Sequence, residues 1–175
     1  MTSVVQLYIK EQLMASRGVP IIVCNATKQP QYLVTGRRGL RQDSFTLYTV
    51  AGQYIAEIRQ TTLGIFPRFD IFVGKQKVGA VKKMYGVWHQ FQFVSDLNWI
   101  VMGDLINHHY KVYHRTETIL TMDKAILSDG DYYQLQITHE SDVPVCILLS
   151  LIFDHWVVRR DKKPQKGGSF KAAYN

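Results

Sequence analysis

At 175 residues, 46% hydrophobic and 20% charged, the chain has the size and composition of one globular domain with a substantial core, and not of a disordered or collagen-like segment. Cys24 and Cys146 are its only cysteines and lack metal-ligand spacing, which argues against a disulfide scaffold or zinc site and for two inert, buried thiols in a reducing compartment. The formal charge is +7, and six basic residues set against Asp161 place +5 of it between Arg159 and Asn175, so the preceding body reads as nearly balanced and the tail as a basic, flexible arm.

Met1 to Lys10 has no charged start, apolar run and small-residue cleavage site in succession, so it reads as an opening strand and not as a secretion signal. Ile21-Ile22-Val23-Cys24 and Tyr32-Leu33-Val34 form the first of a series of paired short runs. The series continues with Phe45-Thr46-Leu47-Tyr48-Thr49-Val50, Phe69-Asp70-Ile71-Phe72-Val73, Phe91-Gln92-Phe93-Val94 and Tyr110-Lys111-Val112-Tyr113. Each is followed by a polar turn, such as Ala51-Gly52-Gln53, and a second alternating run, such as Tyr54-Ile55-Ala56-Glu57-Ile58-Arg59. A unit recurring every 19–24 residues is a hairpin repeat. Regular alternation predicts one apolar and one wet face, with Arg59, Lys82 and Lys111 pointing outward or lying at strand ends. With a closing strand at Tyr132–Thr138, the count is about twelve antiparallel strands.

After Ser141-Asp142-Val143-Pro144 the pattern changes. Val145 to Val158 is apolar on nearly every face; Ser141 or Asp142 is placed to cap it, and Pro144 falls in the first turn, so it is a helix with a sharp start. A helix apolar all round is buried. The run is shorter than the roughly 20 residues needed to cross a bilayer and is broken by Asp154 and His155, so no transmembrane segment is expected. A barrel of about twelve strands encloses more space than its own side chains fill, and this helix is the natural filling. The fold class is therefore mainly β: a closed antiparallel barrel of about twelve strands around a central hydrophobic C-terminal helix, spanning 1–158, with a basic tail over 159–175.

Leu7-Tyr8-Ile9-Lys10, Ala56-Glu57-Ile58, Gly79-Ala80-Val81-Lys82-Lys83 and Asp129-Gly130-Asp131-Tyr132-Tyr133, followed by the apolar helix, carry a resemblance. Over about residues 5–158 the chain resembles the LURP-one-related family of bacteria and plants, placed in the tubby-like superfamily with the phospholipid scramblases. The resemblance implies a twelve-stranded barrel around a hydrophobic helix and no established chemical activity. Through the tubby branch it also implies binding of phosphoinositide headgroups in a basic pocket.

The titratable clusters admit sharper readings. His108, His109 and His114 near Asp104 have zinc- or iron-binding residue types, but alternation sends His109 to the opposite face, so they read as surface or hairpin histidines. His155 beside Asp154 reads as a satisfied or solvent-facing histidine at the helix end, with a proton-carrying pair as the alternative. Asp123, Asp129, Asp131 and Asp142 lack the twelve-residue calcium loop. Nucleophile-elbow, phosphate-loop and His-Glu-x-x-His motifs are absent from the sequence. No catalytic residue, metal or cofactor is therefore expected.

Arg37, Arg38 and Arg41 follow Gly36 as the compact basic cluster outside the tail. A solvated loop explains them, but guanidinium groups on a loop also suit bidentate phosphate capture. Together with Lys162 and Lys163 they form the candidate anion-binding set. The resulting expectation is a non-catalytic binding or scaffold domain for an anionic membrane surface or phosphoinositide-like headgroup, cytoplasmic and peripheral to the membrane. Nucleic-acid binding through the same charges is the alternative, and an enzyme with a site assembled across the barrel a third. No motif specifies an oligomeric state.

Overall fold

The computed structural model describes residues 4–11, 18–37, 42–84, 86 and 89–161. Twelve strands follow one another in the order the alternation predicts. They are β1 (Val5–Lys10), β2 (Ile21–Cys24), β3 (Pro30–Arg37), β4 (Ser44–Thr49), β5 (Tyr54–Gln60) and β6 (Arg68–Val73). The second half comprises β7 (Gln76–Lys82), β8 (Phe91–Ser95), β9 (Trp99–Asp104), β10 (His109–His114), β11 (Glu117–Leu127) and β12 (Gly130–Ile137). Every neighbouring pair is antiparallel, and β1 pairs with both β12 and β2, so the sheet closes into a barrel without a free edge.

The sequence repeat has a structural counterpart. In the hairpins β2–β3, β4–β5, β6–β7 and β10–β11 the register shifts by a bulge, for example between Leu47 and Tyr48 and between Ile71 and Phe72. Bulges bend a strand and increase its twist, which closure of the sheet requires. Along β4 and β5, Phe45, Leu47, Ala56 and Ile58 face inward and are buried, while Glu57 and Arg59 face outward. Lys82 and Lys111 are likewise exposed.

Strand β8 inverts the expected preference. Gln92 and Val94 are buried, and Phe91 and Phe93 project from the outer face, 43% and 46% exposed. The pairing of Gln92 with Val101 and of Val94 with Trp99 fixes this choice, because Val101 and Trp99 are core residues. A one-residue slip would bury both phenylalanines but turn every core side chain of the strand outward.

A 3-10 turn, Glu140–Asp142, takes up Ser141 and Asp142 and leads into α1 (Val143–Asp161). Every residue from Val145 to Val157 is buried. The helix is long and apolar enough to cross a membrane, but its surroundings are the barrel interior, where it packs on β4, β5, β6 and β12. Ser150, the one polar residue midway, donates its hydroxyl to the Ile147 carbonyl at 2.7 Å, which removes the cost of burying it. Near the helix end Trp156 meets Phe69 and Phe153, with ring centroids 5.5 and 5.4 Å away.

Candidate functional site

Two groups of polar residues stand out, both toward the barrel end where the helix finishes. The first is internal. His155 Nε2 lies 2.9 Å from Asp43 Oδ2, and His108 Nε2 lies 2.9 Å from Asp154 Oδ1, all four side chains being buried. Consecutive helix residues thus reach opposite partners, one just before β4 and the other in the β9–β10 connection. His108 stacks on Tyr133 with centroids 4.2 Å apart, and the Tyr133 hydroxyl donates to Glu11 at 3.0 Å. Burial, the Asp154 carboxylate and the hydrogen bond to Glu11 hold the Tyr133 phenol well above its ordinary range. Burial alone would raise Glu11, but hydrogen bonds from Lys124 and Tyr133 outweigh it and leave the carboxyl below its usual value. Among the described residues, the hydroxyl of Tyr110 and Nδ1 of His108 are buried without a hydrogen-bond partner.

These positions correct the surface reading of His108, which is 4% exposed. They place His155 as a satisfied core histidine and not a solvent-facing one. The histidines do not converge: His109 pairs with Asp123 on the exterior, and His139 with Glu117. Among the described residues no three of His, Cys, Asp and Glu stand close enough to hold a metal ion. The carboxylates of the calcium reading are dispersed as well, since Asp129 pairs with Lys28 and accepts from Tyr132.

The second group is external. Cross-strand register puts Arg37 opposite Ser44 and Ser44 opposite Arg59, so the two arginines share one outward row with Ser44 between them. At the usual strand spacing their backbones stand about 10 Å apart. Gly36 makes the adjacent inward position possible, because a Cβ there would come within 2.8 Å of the Phe45 ring. The row opens into a groove of about 550 Å³ lined by Thr35, Arg37, Gln42, Ser44, Tyr48 and Arg59, among others. Its wall is polar and its floor is the outer face of β3–β5. Arg59 lies 4.4 Å above the Phe72 ring, which braces the guanidinium while leaving half of the side chain exposed. Glu57 also lines the groove, with Oε2 4.0 Å from Arg59 Nη1.

Of the candidate anion-binding residues, the structure places Arg37 in this groove; Arg38, Arg41, Lys162 and Lys163 lie outside the described residues. Arg59 was not in the sequence-derived set. What brings it in is register, which pairs β5 with β4 at Ser44.

Charge is also divided around the barrel in a way that the near-balanced total conceals. Residues 30–84, which hold β3–β7, carry nine Lys or Arg against three Asp or Glu, one of them the buried Asp43. Residues 89–142, which hold β8–β12, carry three against eight. One half of the cylinder is basic and the other acidic, and the Arg37–Arg59 groove lies on the basic half. Counting charge strand by strand would have revealed this from the sequence.

Comparison with known proteins agrees with this architecture. An uncharacterized Bacillus subtilis (strain 168) protein, YxjI, is 26% identical over 150 residues, covering 86% of this chain and 92% of its own length. The X-ray structure of an Arabidopsis thaliana protein superposes with a TM-score of 0.54 at 13% identity, covering 91% of this chain and 93% of that one, a likeness of fold. The family model described as LURP-one-related matches residues 5–154, the whole of the barrel and most of its central helix. The chain belongs to the LURP-one-related family.

Proposed function

We propose that this barrel is a non-catalytic binding domain that holds anionic phospholipid headgroups against its basic half. The observation that carries the reading is the placement of Arg37 and Arg59 on one outward row, either side of Ser44, in an open polar groove. Two arginines on one row with a small hydroxyl between them offer a phosphate guanidinium donors, and the Ser44 hydroxyl adds another. The groove is open enough to admit a headgroup still attached to its bilayer. The wider charge split supports the same reading, because a barrel with one basic half is oriented by the negative potential of a cytoplasmic leaflet before it touches it. The basic residues after Arg159, including Lys162 and Lys163, add to that attraction. The setting that goes with this function is peripheral attachment to the cytoplasmic face of a membrane, in keeping with the expected kinship to tubby-like proteins.

Sedimentation with phosphatidylcholine vesicles, with and without phosphatidylserine, tests it. Binding is expected to the charged vesicles alone, to weaken as salt rises, and to drop several-fold in Arg37→Ala and Arg59→Ala. Lys111→Ala, on the acidic half, leaves it unchanged. Failure of the protein to sediment with charged vesicles at low salt removes the lipid reading. A salt-dependent shift of oligonucleotides in its place would reassign the arginines to nucleic acid.

A further inference from the structure

The strand that supplies Arg59 ends at Gln60, and the chain then turns through Thr61-Thr62-Leu63-Gly64-Ile65-Phe66-Pro67 before β6. The neck of this loop is firmly tied. Thr61 N donates to the Arg68 carbonyl at 2.8 Å, Arg68 N to the Thr62 hydroxyl at 2.9 Å, and Lys83 N to the Pro67 carbonyl at 3.0 Å. Its tip is apolar and largely exposed. Leu63 is 69% exposed, Ile65 70% and Phe66 54%. Leu63, Ile65 and Phe66 lie outside the core cluster, and exposing so much apolar surface on a braced loop to water is costly.

The apolar surface continues beside the loop. Strands β7 and β8 are paired only at Ala80–Ser95 and Val81–Val94, and beyond Val81 they part. The gap forms a groove of about 290 Å³ lined by Met84, Phe91 and Phe93 and rimmed by Lys82 and by Arg68, whose Nε donates to Asp70 at 2.8 Å. Here the outward phenylalanines of β8 find their place. Loop tip, groove and cations lie at the barrel end where β5 hands over to β6 and β7 to β8, next to the Arg37–Arg59 groove. Polar groove, apolar tip and the cations Arg68 and Lys82 therefore succeed one another across the basic half.

We infer that Leu63, Ile65 and Phe66 form a wedge that enters the interfacial layer of an anionic bilayer, with Arg68 and Lys82 at the level of the phosphates. The inference rests on the lipid reading of the Arg37–Arg59 groove and adds to it the orientation of the barrel and a hydrophobic source of affinity. Complementarity selects this occupant: a bilayer presents anionic phosphates directly above apolar chains, and this end of the barrel presents the cations Arg68 and Lys82 beside an apolar tip. Attachment then needs both signals, charge to bring the barrel to the surface and the wedge to hold it.

The experiment compares wild type, Leu63→Ser/Ile65→Ser and Arg37→Ala/Arg59→Ala on phosphatidylcholine–phosphatidylserine vesicles. In parallel, an environment-sensitive fluorophore is attached at Ile65→Cys in a chain carrying Cys24→Ser. The loop side chains are exposed, so the serine variant is expected to melt as wild type does. Its vesicle affinity is expected to fall about tenfold or more, and the fluorophore to shift blue on binding and be quenched by lipid-borne quencher. Binding by wild type that the arginine variant weakens but the loop variant does not, with an unshifted fluorophore, overturns the wedge and leaves the headgroup site standing. No vesicle binding by wild type overturns both. A dimer of wild type that the loop variant converts to monomer, with vesicle binding unaltered, also overturns the wedge and assigns the apolar tip to a second copy of the chain.

Discussion

Asp43 and His155 are paired at 2.9 Å in the barrel interior, linking the residue that leads into β4 to the last buried turns of α1. The helix is held in its sleeve by this contact as well as by packing. Removing one partner of a buried pair leaves the other desolvated, so Asp43→Ala is expected to cost about 3–5 kcal/mol of stability. Urea unfolding measures it, and a loss under about 1 kcal/mol would show that the pair does not anchor the helix.

Asp129 gives the fold a defined acid response. Hydrogen bonds from Lys28 and Tyr132 hold its carboxyl at about 2, against an ordinary 3.8. The folded value is the lower one, so the contribution is complete above the unfolded value and fades as pH falls from there through about 2. Thermal melts of wild type and Asp129→Asn between pH 6 and 2 check this: the gap between their Tm values is expected to narrow toward the acid end. A constant gap would locate the effect of the substitution elsewhere.

Gly103 is the position in the sheet least able to accept a side chain. Its φ of +132° is one that L-residues rarely adopt, and a Cβ would come within 2.6 Å of the His109 carbonyl oxygen and 2.7 Å of the Tyr110 Cα. Both are backbone atoms of the paired strand and have little room to move. Gly103→Ala is expected to destabilise by about 3 kcal/mol or more, whereas Gly52→Ala, which meets no atom within 4 Å, carries only the cost of its left-handed backbone. Equal losses at the two sites would contradict this account.

The thiols should be slow to react. Burial pushes both Cys24 and Cys146 above the usual thiol value, Cys146 far above it, and the thiolate is the reactive form. With a disulfide reagent at neutral pH, the half-buried Cys24 is expected to react slowly and Cys146 only after unfolding. Rapid modification of Cys146 in the native protein would show that the barrel opens readily.

What the sequence revealed and what it concealed divide by range. Twelve strands and a buried helix were legible because hairpins and helices are written locally: Phe45-Thr46-Leu47 alternates, and Val145 to Val157 offers no polar stripe for solvent. The side chosen by β8 was not, since Phe91-Gln92-Phe93-Val94 is apolar on both faces apart from Gln92, and only its neighbours Val101 and Trp99 decide. The site was half legible. Arg37 stood out beside Arg38 and Arg41, but Arg59 joins it across Ser44, and His108 meets Asp154, through pairings between residues distant in sequence. Alternation also placed His108 on a strand, whereas it sits in the connection before β10 with a φ of +55°, which frees its ring to turn inward.

The cylinder is sewn shut by its two ends, Val5 lying opposite Ile137 and Lys10 opposite Tyr132. Its filling is made later still, since α1 follows the last strand. A nascent chain leaving the ribosome therefore has hairpins to form early but nothing to close around until α1 has been made. Such late, distant pairing makes for slow assembly and a long-lived open sheet whose inner face seeks other partners.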